Sequence, residues 1–122
     1  MQGKSFCLTL HAIGTLGGDL NYRFTFPFDC SLKHISAVVS GANQAGLTVG
    51  NSGTAAAYLA KASVGASNVP VEFARADFVG TPVLPHILKG VILVVAVDYD
   101  YNNGGGAVAS ADLTIVLTFS EG

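Results

Sequence analysis

The chain has 122 residues, half of them hydrophobic and only 11% charged, with six basic and eight acidic side chains and a formal net charge of −2. That length suits one domain with a working core, and the hydrophobic content excludes a disordered chain. The charges are scattered, so the dense basic footprint of a nucleic-acid binder is absent, and no apolar stretch approaches the ~20 residues of a membrane-spanning helix.

In chain order, Ser5 to His11 alternates Phe6, Leu8 and Leu10 with Ser5, Cys7, Thr9 and His11. A half-buried strand needs that period of two. Gly14, Gly17, Gly18 and Asp19 supply a turn into Leu20 to Phe26, where Leu20, Tyr22, Phe24 and Phe26 alternate with polar residues. Pro27 ends this strand because it donates no ladder hydrogen bond. In Leu32 to Ser40 the apolar phase shifts near Lys33 and His34, which predicts a bulge. Leu47 to Val49 is a short strand between glycines.

Ala55 to Ser63 has the composition of a two-turn helix. Tyr58, Ala60, Ala62 and Val64 also fit a period of two, and so short a helix is marginal in isolation. Both readings stand, with the strand preferred. Val69 to Phe73 reads as an edge strand because of Pro70, and Ala74 to Lys89 as a long connection. The apolar run Val91 to Asp98 suggests a strand covered on both faces, and a loop follows from Tyr99 to Gly106. Ala111 to Phe119 has the most regular alternation in the chain, which predicts a central strand. Seven or eight strands without a strong helix describe an all-β fold, an antiparallel β-sandwich or jelly roll, as a single domain over residues 1–122.

The richest polar cluster is Asp98, Asp100 and Asn102, followed by Asn103 and three glycines. Alternate oxygen ligands can converge on a calcium ion, and these three are the candidate metal ligands. A calcium loop of the helix-loop-helix type would have Gly directly after Asn102 and Glu at the twelfth position; Asn103 and Ala109 stand there, and an ordinary turn explains the same residues. The histidines His11, His34 and His86 lack zinc-site spacings, and Cys7 and Cys30 lack a local signature of a Cys–His nucleophile. No catalytic residue and no cofactor is assigned, and the expectation is a protein that is not an enzyme. Met1 to Ser5 lacks the pattern of a secretory signal, so synthesis in the cytoplasm is expected, with Cys7 and Cys30 as reduced packing residues. Tyr99 and Tyr101 are the candidate platform for stacking a sugar.

A charge content this far below the roughly one quarter of a typical small-domain surface leaves a face of small polar residues, a face covered by other subunits, or both. Self-association is therefore expected.

The segments FTFPFDCSLKHISAVVSG, LTVG, KGVILVVAVDYD and ADLTIVLTFSEG, around a middle rich in Gly, Ala and Ser, resemble those of small head proteins of tailed bacteriophages. These are decoration or cement proteins of the capsid exterior. The resemblance spans Tyr22 to Gly122 and rests on strand and turn patterns. It implies a non-enzymatic virion structural protein, made in the host cytoplasm and placed on the capsid exterior. It would bind the major capsid protein, commonly as a homotrimer, with no nucleic acid, membrane or small-molecule substrate as partner. The alternatives are a carbohydrate-binding β-sandwich module, assisted by calcium at Asp98 to Asn103, and another phage tail or fibre protein.

Overall fold

The computed structural model describes residues 4–101 and 108–122. Among these residues nine strands follow one another: β1 Ser5–Thr15, β2 Leu20–Phe24, β3 Cys30–Val38, β4 Gly46–Asn51, β5 Leu59–Ser63, β6 Val71–Phe73, β7 His86–Ile87, β8 Leu93–Asp98 and β9 Ala111–Glu121. The only helical turn among the described residues is a 3-10 turn at Arg75–Asp77. All strand pairings are antiparallel and form two sheets. One has the order β1-β9-β3-β6, with β7 also on β3, and the other has the order β2-β8-β4-β5.

The sheets stack because period-two alternation gives each an apolar face. On β9, Leu113, Ile115, Leu117 and Phe119 are fully buried, as are Leu32, Ile35 and Ala37 of β3. Opposite them lie Leu93 and Val95 of β8 with Leu47 and Val49 of β4, also fully buried. The antiparallel β-sandwich expected from the sequence is the observed fold. β9 is central, with β1 on one side and β3 on the other.

The phase shift in β3 is a bulge: the pairing with β9 slips between Leu32 and His34. Leu32 and Ile35 thereby both reach the core although they are three residues apart. The ambiguous segment divides. Backbone hydrogen bonds between Asn51 and Thr54, and from Ala57 to Thr54, make a turn, and the strand begins at Leu59. The helix alternative fails because Leu59 and Val64 are drawn into the core and Tyr58 donates its N–H to Val49.

The apolar run that reads as a strand covered on both faces begins two residues later than its sequence suggests, at Leu93. Leu93, Val95 and Val97 point inward, and Val94, on the outer face, is only 8% exposed. Its neighbour across the ladder is Gly50, where a Cβ atom would lie 2.2 Å from the carbonyl oxygen of Ala55. The chain at Thr54 and Ala55 therefore folds back over this face, which only glycine at position 50 permits.

At the far end of the first sheet, Asp112 of β9 ties β1 to the chain that follows β3. Its carboxylate accepts from the Gly14 N–H at 2.7 Å and from the Ser40 hydroxyl at 2.8 Å. The Gly14 bond, then the Ser40 bond, holds its pKa below the ordinary carboxylate range. Asp112 adopts φ of 52°, which Asp tolerates better than most residues.

Ile115→Ala is expected to cost about 2–5 kcal/mol, read as a shifted urea midpoint, because a fully buried side chain leaves a cavity at the centre of the middle strand. For Asp112 the folded pKa is depressed, so its contribution is present above the unfolded value near ~3.9 and fades as pH falls through the folded value. Asp112→Asn should be less stable than the parent at pH 7, and the gap should narrow on acidification below pH about 4. A gap that stays constant with pH would show that the charge contributes nothing.

Candidate functional site

The two lateral sides of the sandwich differ. On the β5–β6 side the connection between β6 and β7, both strands of the first sheet, reaches across to the second and returns. The Val79 N–H donates to the Tyr58 carbonyl, and Phe78, 2% exposed, seals the seam beside Phe73, Leu59 and Ile87. On the β1–β2 side the two edge strands are joined by the short turn 16–19, in which Leu16 is buried. The inward side chains Phe6, Leu8, Leu10 and Ala12 of β1 and Leu20, Tyr22 and Phe24 of β2 pack on the core but stay half-buried. One end of this open side is plugged by aromatic rings. Phe6 stacks on Phe119 with centroids 5.3 Å apart, and Phe26 meets Phe119 edge-on at 4.9 Å.

Exposed apolar groups concentrate in the segment 69–92, which holds the sealing connection and the link from β7 to β8. Of the eight large apolar side chains exposed among the described residues, six lie between 69 and 92: Val69, Val71, Val79, Val83, Leu88 and Ile92. Val83 and Leu88 are 70% and 54% exposed. Among the described residues no pocket indents the surface.

The metal-ligand candidates are partly brought together. Asp98 ends β8 and Asp100 follows in the turn; Asn102 lies outside the described residues. The structure adds Asp19, from the turn between β1 and β2, with one carboxylate oxygen from each of the three aspartates within 4.8 Å of the others. The sequence offered no local signal for Asp19, because it approaches through the pairing of β2 with β8 from far away in the chain. Its carboxylate also accepts from the Tyr99 N–H at 3.2 Å. The Lys61 ammonium donates to Asp98 at 2.5 Å and sits 4.5 Å above the Tyr101 ring.

The hydrogen bond from Lys61 lowers the Asp98 pKa, and the same bond raises that of Lys61. Asp100, bonded to the Asp98 carboxylate, is pushed up. These three aspartates are the described residues that could offer oxygens to one hard cation. Calcium takes six to eight oxygens, and Lys61 already supplies Asp98 with positive charge.

The remaining candidates are separate. His11 Nδ1 is 2.8 Å from the Thr114 hydroxyl, His34 pairs with Glu72 at 3.1 Å, and His86 lies on β7. The Cys7 thiol is 3.4 Å from the Thr118 hydroxyl rather than beside a histidine. Cys30 is a buried packing residue, as expected, and burial raises its pKa. Cys7 is not: it faces outward on β1, because the alternation that buries Phe6 and Leu8 turns residue 7 to solvent. As for the two tyrosines, Tyr99 packs against the core and Lys61 covers one face of Tyr101.

Comparison with protein-family models, curated proteins and solved structures finds no match.

Both cysteines are free. Thermal melting with and without reductant should therefore coincide; a fall of many degrees on reduction would reveal a bridge.

Proposed function

We propose that this protein is a non-enzymatic virion component of the decoration or cement type, which binds the outer surface of a capsid and stabilises the shell. The observation that carries the reading is the concentration of exposed apolar side chains along residues 69–92 of a sandwich with so few charges. Such a surface loses little by desolvation and gains by being covered.

The strand order supports the reading. β1-β9-β3-β6 facing β2-β8-β4-β5 follows the winding of a jelly roll, with β7 as a two-residue addition. Viral capsid and lectin domains share that winding, and fold alone does not decide between them. The apolar side offers the shell Val79, Val83 and Leu88, and repeated copies across a shell multiply a modest contact into high avidity. The carbohydrate-binding alternative draws on the convergence of Asp19, Asp98 and Asp100 near Tyr101, and binding to glycans that chelator abolishes would favour it.

The test uses empty expanded capsids of the virus that encodes the chain, identified by a major capsid gene adjacent to this one. Bound protein should appear as ordered added density, and decorated capsids should withstand more heat than bare ones. Val83→Asp with Leu88→Asp should abolish binding while leaving the melting temperature of the free protein within a few degrees, since both side chains are already in water. Undiminished binding by this variant would remove the apolar side from the contact, and failure of the parent protein to bind would remove the cement reading.

A further inference from the structure

We propose that β1 is a self-association edge, at which two copies of this chain pair antiparallel across a two-fold axis and join their β1 sheets into one. The inference is independent of capsid binding.

The free edge of β1 is defined by its hydrogen bonds. The Glu121 N–H donates to the Lys4 carbonyl, so Lys4 belongs to a hydrogen-bonded pair with β9. Alternation along an antiparallel ladder then turns the backbone groups of Phe6, Leu8, Leu10 and Ala12 toward β9. Those of Ser5, Cys7, Thr9 and His11 point the other way, where no described strand pairs with them.

Proteins normally guard such edges with charge, proline or brevity. The other three edges here follow that rule. β6 has three residues, includes Glu72 and follows Pro70; β5 carries Lys61; β2 carries Arg23 and is followed by Pro27. β1 has eleven residues, with no proline and no Lys, Arg, Asp or Glu. Its register with β9 runs without a break from Ser5 to Ala12.

The occupant that fits is a second β1. Strands pair in phase only when edge-directed residues face edge-directed residues. A two-fold axis at Thr9 satisfies this: Thr9 faces Thr9 of the other copy, Cys7 faces His11, Leu8 faces Leu10, and Phe6 faces Ala12. No like charges meet, since neither strand carries any. Over Phe6 to Ala12 the apolar side chains stay on the inner face of the joined sheet, and Cys7, Thr9 and His11 on the outer face; Ile13, just beyond, is exposed. Pairing also covers the half-buried Phe6, Leu8 and Leu10, which interior strands of the same sheet bury completely. The interface is isologous and closes at two copies.

The test is the mass of the free protein by light scattering, expected at twice the 12.5 kDa chain mass. Thr9→Pro removes an N–H that points out of the sheet and leaves the β1–β9 ladder intact, so it should halve the mass without loss of folded strand signal. Thr9→Lys should do the same by placing like charges at the axis, and keeps the test open if the proline variant does not fold. Thr9→Cys in a Cys7→Ser background should form a covalent dimer on oxidation, because hydrogen-bonded antiparallel partners lie ~5.5 Å apart at Cα, within disulfide reach. A monomeric or trimeric parent, or a dimer that both Thr9 variants leave unchanged, would overturn the pairing. Capsid binding by a trimer would overturn it while sparing the cement reading, and a dimer that ignores capsids would do the reverse.

Discussion

The stacking of β9 and β3 on β8 and β4 is the interaction on which the rest of the molecule depends. Ile115, Leu117, Leu32 and Ile35 meet Leu47, Val49, Leu93 and Val95, all fully buried, and together they form the dry centre of the sandwich. Every other element is arranged around keeping that centre dry. The β3 bulge restores the inward phase after Leu32, Gly50 lets Thr54 and Ala55 close over the outer face of the second sheet, and Phe78 blocks one lateral seam. A close-packed interior accepts few gaps, so these devices decide where the surface remains apolar.

How much of this was legible in the sequence depends on how local each cause is. The alternation of Leu113, Ile115, Leu117 and Phe119 is a local signal, and both the strand and its central place could be read from it. So could the bulge, because a slip of phase at Lys33 and His34 has no other simple explanation in a strand. The limits of β5 and β8 were less legible. Ala55 to Ala57 has helical composition and becomes a turn because Tyr58 and Leu59 are held by β4, a tertiary demand that outweighs local propensity. Val91 and Ile92 continue an apolar run by composition but precede the ladder, with Ile92 41% exposed.

The surface was less legible still. Asp98 and Asp100 stood out by spacing, yet their main neighbours, Asp19 from the turn before β2 and Lys61 from β5, could be placed only once the order β2-β8-β4-β5 was known. Cys7 shows the same limit from the other side. Alternation alone assigns it to the face opposite Phe6, but which face meets the second sheet is decided by the whole fold. The contrast between the sealed and the open side has no sequence signature, since it depends on the path of the connection after β6.

That contrast bears on how a chain with 11% charged residues avoids uncontrolled association. Charge is the usual defence of both faces and edges, and here it is sparse, so geometry must take its place. Three of the four edges are short or interrupted and offer little backbone to a passing strand. The fourth, β1, is long and neutral, and an edge of that kind is hazardous only while its pairing can propagate. An isologous pair uses the edge of both copies at once and leaves no further β1 to extend the sheet. The exposed valines and leucine on the opposite side then lie at the two outer ends of the joined sheets, at β6 and β7, where they remain available to a different partner. Self-pairing and partner binding can therefore coexist in one molecule, because the exposed Val71, Val79 and Val83 lie away from the unguarded backbone of β1, although Ile13 is exposed on β1 itself.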